Sequence, residues 1–200
     1  MNNFDKNKES GSKENFGKRL FLAIDIPEFV KDDIHKFVSI LLGRDGQIRV
    51  LPSLNIHITL KFLGNVADDE IKKIEEASII AAGKFKRFEY GIGSELGAFP
   101  SKKKARVIFL GIGMGGDYIC RIYDELEKSL EGIKINREKR EFFAHITVAR
   151  TKIIKDVSKL LEDNRFDYGK KLECSEISLF ESKLKSYGAE YINLCNFSLK

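Results

Sequence analysis

The sequence predicts an α+β fold of two pseudo-symmetric lobes from an internal duplication, with mostly antiparallel sheets lining a central cleft and helices outside. Three observations carry that expectation. Residues 55–63, Asn-Ile-His-Ile-Thr-Leu-Lys-Phe-Leu, alternate apolar and polar side chains as a half-buried strand does, so His57 and Thr59 project together from one face. The pattern returns 88 positions later as His145-Ile146-Thr147-Val148. The same shift lays Phe21 on Phe109, Leu22 on Leu110 and a helical stretch at 31–42 on one at 119–130.

The elements follow in order. Residues 1–17 are too polar to bury and read as a disordered tail, leaving 18–200 as a single bilobal domain. The apolar run at 19–26 is a first strand, stopped by Pro27. Phe29, Val30, Ile34, Phe37, Val38 and Leu41 mark an amphipathic helix over 28–42, ended by Gly43. His35 falls beside that stripe and reads as a boundary residue. The His57 strand follows, closed by Gly64. A helix over 67–82 has Asp68 or Asp69 as its cap, with Ile71, Ile74 and Ile79 inward.

Residues 85–98 form a strand interrupted by Gly91 and Gly93, which suggests a bulge or a close approach. A turn at 99–101 and a basic loop at 102–104 lead to a strand at 105–112. Asp117 is expected to cap a helix reaching 130, with Ile119, Ile122, Tyr123, Leu126 and Leu130 inward. The glycines at 113, 115 and 116 lack the Lys-Ser/Thr of a phosphate loop. The second His strand spans 142–148, a weak helix 154–163, and strands at 173–181 and 189–199 form a hairpin around Tyr187 and Gly188.

Composition sets the frame. With 42% apolar and 32% charged residues, the chain reads as a soluble globular protein. No apolar run approaches the ~20 residues of a membrane helix, and no signal peptide is evident. The net charge of +5 favours anionic partners such as RNA or nucleotides. Cys120, Cys174 and Cys195 are odd in number and lack Cys-x-x-Cys spacing, which argues against a disulfide framework or structural zinc and for a reducing cytoplasm.

Two His-Thr pairs across a groove suit a phosphodiester, above all a strained 2′,3′-cyclic phosphate on RNA. One imidazole takes a proton from water while the other protonates the leaving oxygen, and a pKa near 6.5 serves both. Thr hydroxyls can donate to the non-bridging oxygens. The scheme requires no metal and no cofactor. A zinc site would need a third protein ligand, and neither motif carries a carboxylate. A Ser-His-Asp triad would need neither the repeat nor the Thr partners.

The paired His-x-Thr-hydrophobic motif resembles the signature of the two-histidine phosphoesterase superfamily. Within it, the chain is similar to the RNA 2′,3′-cyclic phosphodiesterases, historically called 2′-5′ RNA ligases. The opening strand at 19–24, the first motif at 55–64, the strand at 104–108, the second motif at 145–150 and Glu181-Ser182 with Gly188 and Tyr191 carry the likeness. The resemblance implies hydrolysis of a terminal 2′,3′-cyclic phosphate to a 2′-phosphate. It implies His57 as proton donor, His145 as proton acceptor, Thr59 and Thr147 as phosphate ligands, and Arg150 as a substrate contact. Strict alternation sets Arg150 on the face opposite His145, so a bulge or strand end after Thr147 is required. Two readings stay open beside hydrolysis: 2′-5′ ligation at the same site, and a non-catalytic RNA- or nucleotide-binding module. A cytoplasmic monomer is expected, since the duplication already supplies two half-sites.

Overall fold

The computed structural model describes residues 17–186 and 188–200. The tail expected over 1–17 therefore lies, but for Gly17, outside the described residues, as does Tyr187 of the last turn.

The chain runs β1 (Lys18–Asp25), α1 (Glu28–Leu42), β2 (Ile48–Val50), β3 (His57–Val66), α2 (Asp68–Ala82), β4 (Phe88–Phe99) and β5 (Ala105–Ile112). It continues through α3 (Gly116–Glu131), β6 (His145–Lys155), α4 (Ser158–Glu162), β7 (Lys171–Cys174), β8 (Glu176–Lys185) and β9 (Gly188–Ser198). The strands hydrogen-bond in the order β7-β4-β5-β6-β3-β1-β8-β9, with β2 beside β6. Every pair is antiparallel.

That order is a palindrome about the β6–β3 seam: β6 answers β3, β5 answers β1 and β4 answers β8. The repeats also exchange strands. β4 closes the first repeat yet bonds to β5 of the second, and β8 of the second bonds to β1 of the first. At the seam the halves meet through Ile58 paired with Ile146, both fully buried.

The helices cover one face of the sheet, and the main core lies beneath them. In α1 the buried stripe is Val30, Ile34, Val38 and Leu42, at fourfold spacing. Phe29, expected inward, sits a ~100° step off that stripe and is exposed. In α2 the stripe is Ile74, Ala77, Ser78, Ala81 and Ala82, which turns Ile79 outward against expectation. Neither proposed Asp cap forms. Ala67 precedes α2 and Gly115 precedes α3, so Asp68 and Asp117 lie in the first turns, where negative charge favours the helix N-terminus. Asp68 pairs there with Lys18 at 3.1 Å. In α3 all five expected apolar residues are buried.

Strand bounds differ more. β3 begins at His57 and passes Gly64, whose φ of 72° accompanies a register shift, to reach Val66. β6 starts three residues later than expected and runs to Lys155, because β2 and β5 pair with its extension. The helix expected at 154–163 shrinks accordingly to α4. Among the described residues no helix is long and apolar enough to cross a membrane.

Candidate active site

Each His strand carries a bulge immediately after its Thr. On β3, Ala23 pairs with Thr59 and Leu22 with Lys61, so Leu60 is the extra residue. On β6, Phe109 pairs with Thr147 and Ile108 with Ala149, so Val148 is extra. Leu60 and Lys61 are both buried, as are Val148 and Ala149, which shows two successive side chains on the helix-covered side. Alternation then resumes inverted. Phe62 and Arg150 return to the face of the histidines, and both are exposed. The bulge that Arg150 required is present.

Counted outward from the Ile58–Ile146 pair, antiparallel strands set His57 on the side of Thr147 and Thr59 on the side of His145. The two imidazoles and two hydroxyls thus share the open face across adjacent strands. All four residues are half-buried.

His145 Nδ1 donates to the Phe143 carbonyl two residues upstream at 2.7 Å, which assigns its neutral proton to Nδ1 and leaves Nε2 as its working atom. The Asn55 backbone favours the charged form of His57. His57 Nε2 receives the Thr59 hydroxyl at 2.9 Å. Among the described residues no such bond joins Thr147 to His145.

The surroundings differ. His57 stacks on Phe21 at 4.9 Å and 29°, with the edge of Tyr191 at 5.3 Å. His145 meets the edges of Phe99 and Phe109 at 5.2 and 5.3 Å. Burial among these rings pulls the pKa of His57 down to about 4, with the Asp25 carboxylate opposing it and Lys31 and His145 reinforcing it. Asp25 stands across from His57 on β1 and holds Lys31 at 2.6 Å. Burial lowers His145 too, helped by Arg150 and resisted by the Phe143 carbonyl.

Behind the β3 bulge, Lys61 reaches into the helix layer and pairs with Glu127 of α3 at 2.6 Å, both buried. It also donates to the Asn136 carbonyl at 2.8 Å, while Glu127 accepts the Glu138 N–H at 3.1 Å. This pins the loop that delivers Phe143 and His145. His35 serves the scaffold: its Nδ1 donates to the Leu51 carbonyl at 2.8 Å. Two shallow concavities, of about 630 and 410 Å³, lie elsewhere and include neither motif histidine.

The sequence thus names His57, Thr59, His145, Thr147 and Arg150, all of which the structure brings to one face. It misses Phe62, although the 88-residue shift that relates the histidines also relates Phe62 to Arg150. It also misses the Phe143 carbonyl that orients His145, which no side-chain pattern signals.

Paired His-x-Thr strands facing one groove across a pseudo-two-fold seam define a two-histidine phosphoesterase. The sequence model described as LigT like Phosphoesterase matches residues 24–109. An RNA 2′,3′-cyclic phosphodiesterase of Methanocaldococcus jannaschii is 33% identical over 178 residues, covering 86% of this chain and 96% of the relative. One from Aeropyrum pernix is 36% identical over 144 residues, covering 70% and 80%. The chain belongs to this family of LigT-like RNA 2′,3′-cyclic phosphodiesterases. Among solved structures, TT0787 of Thermus thermophilus superposes with a TM-score of 0.74 at 25% identity, over 90% of this chain and 97% of that one. Escherichia coli LigT in complex with 3′-AMP shares the fold, with a TM-score of 0.74 at 22% identity over 92% and 98%.

Proposed function

We propose that this groove hydrolyses terminal 2′,3′-cyclic phosphates of RNA to 2′-phosphates, by acid-base catalysis with two histidines and no metal. One observation carries the reading: His57 and His145 lie on one face of adjacent strands with Thr59 and Thr147, and His57 Nε2 meets the Thr59 hydroxyl at 2.9 Å while, among the described residues, His145 Nε2 has no backbone partner. The relatives named for this activity, at 30–36% identity, support it.

The cyclic phosphate lies between the imidazoles. His145 Nε2 takes a proton from water, which attacks phosphorus in line with the 3′-oxygen. That oxygen leaves and receives the proton of His57 Nε2. Thr59 and Thr147 donate to the non-bridging oxygens, where charge builds. To do so the Thr59 hydroxyl turns from His57 to the phosphate, freeing Nε2 for its proton. The burial that pulls His57 down to about 4 makes its protonated form a strong donor, and the substrate's negative charge draws the proton there. Arg150, returned to this face by the bulge, supplies a planar cationic fork. One chain holds both half-sites, and we infer a cytoplasmic monomer.

The test is incubation with chelator and an RNA ending in 2′,3′-cyclic phosphate, with identification of the product's terminus. A 2′-phosphate is expected. A 3′-phosphate would reverse the leaving oxygen, a 2′-5′-joined product would make the protein a ligase, and binding without turnover would leave a recognition module. Activity lost to chelator and restored only by metal would end the two-histidine mechanism.

A further inference from the structure

Arg49 of β2 stands directly across from Arg150 of β6. Their neighbours in the ladder, Ile48 with Thr151 and Val50 with Ala149, turn toward the core, so both guanidinium groups rise from the open face that carries His145 and Thr147. Both arginines are exposed. Among the described residues neither has a carboxylate within 4.0 Å, although ten other ion pairs form. Like charges directly opposite on a sheet destabilise it. Two unneutralised cations placed so are accounted for by an anion between them.

Arg49 also reaches the last hairpin. Its Nη2 lies against Gly188 in the β8–β9 hairpin, 2.9 Å from where a Cβ would sit. The hairpin is in turn tied to the His57 side, because Asn55 Nδ2 donates to the Ala189 carbonyl at 2.8 Å. The arginine pair therefore borders the His-Thr groove, further along β6 than His145 and Thr147.

The geometry points to a second phosphate subsite: Arg49 and Arg150 together clasp the internucleotide phosphate on the 5′ side of the terminal nucleoside. This rests on the RNA-end reading of the groove and adds a residue, Arg49, that sets the preference for a chain over a mononucleotide. Two planar forks on adjacent strands suit the two non-bridging oxygens of one diester. A nucleoside 2′,3′-cyclic phosphate with a free 5′-hydroxyl has nothing to place there.

The test compares three substrates: that mononucleotide, a dinucleotide ending in the same cyclic phosphate, and the dinucleotide with an uncharged methylphosphonate link. The wild-type protein should favour the charged dinucleotide in kcat/KM by about tenfold or more, chiefly through KM. The neutral link should remove the preference. R49Q should remove it too, R49K should keep part of it, and the salt slope of dinucleotide binding should fall by about one in R49Q. The melting temperature of R49Q should hold or rise, since a repulsion is relieved. Equal losses on all three substrates, or a preference that survives the neutral link, would overturn the subsite. Affinity for the dinucleotide 2′-phosphate, titrated without turnover, decides the Arg49 question even if hydrolysis itself fails.

Discussion

His57 and His145 occupy the same position in two copies of one strand, yet their neighbours treat them differently. Across β1, Phe180 sits opposite Phe21 and stacks on it at 5.2 Å, and His57 lies on that aromatic stack. Across β5, the corresponding position opposite Phe109 is Gly97. The Phe109 ring occupies the space a side chain there would fill. It stacks instead on Phe99 at 4.3 Å, and both rings meet His145 by their edges. Beyond the bulges, the first half presents Phe62 and the second Arg150. The duplication supplies two equivalent backbones; residues on the flanking strands then give each imidazole its own solvation and charge. On the proposed mechanism, that difference is what separates the two proton-transfer roles.

The comparison breaks most visibly at the histidines. H57A and H145A should each lose about 10²–10⁴-fold in turnover, the usual worth of a placed acid or base. A cyclic substrate with sulfur in place of the 3′-oxygen sharpens the result, because a thiolate leaves without a proton. It should restore H57A and not H145A. Rescue of H145A alone would exchange the roles.

The threonines come next. T59V and T147V should each slow turnover by about 10²–10³-fold, as loss of a transition-state donor does. T59V alone should also raise the pKa of His57, since the hydroxyl that now donates to its Nε2 favours the neutral ring. A proton-detected titration of each variant would show whether only His57 moves.

A smaller effect is expected at Gly97. G97A must displace the Phe109 ring and with it the wall of His145, costing up to about 10²-fold through misplacement. His57 should keep its titration. A variant with full activity would show that the ring wall does not position His145.

The mildest probe is pH. Both histidines are lowered, so both limbs of the kcat/KM profile should lie below 6.5, one of them near 4. The limbs of kcat should lie higher, because a bound anion favours the charged imidazole. Stability should show the same asymmetry. A histidine whose folded pKa is lowered leaves stability intact above its unfolded value and removes it as pH falls through 6.5 toward 4, where the unfolded chain binds the extra proton. Acid sensitivity should therefore lessen more in H57A than in H145A.

The His-x-Thr alternation is a local, period-two signal, and the 88-residue shift is a global one, so the order of amino acids alone makes the candidate site and its symmetry legible. What hides is what neighbouring strands decide. Three-residue β2 has too few residues for a period, yet it sets Arg49 across from Arg150. The bulges at Leu60 and Val148 exist only relative to β1 and β5, and without them Phe62 and Arg150 count onto the wrong face. Asp68 and Asp117 have cap chemistry, but the turns before α2 and α3 place Ala67 and Gly115 at the caps.

The exchange of β4 and β8 bears on how this chain folds. A half-chain ending at the turn before β5 would hold a strand with no place in its own sheet and an open edge along β1, the kind of surface that recruits another copy. Neither half completes itself, so the ladder closes only when residues more than 150 positions apart, such as Phe21 and Phe180, have met. High sequence separation slows folding and couples the two halves into one cooperative unit. Denaturation followed by probes placed in each half should give coincident transitions; a half that melts first would show the exchanged strands to be ornamental to cooperativity.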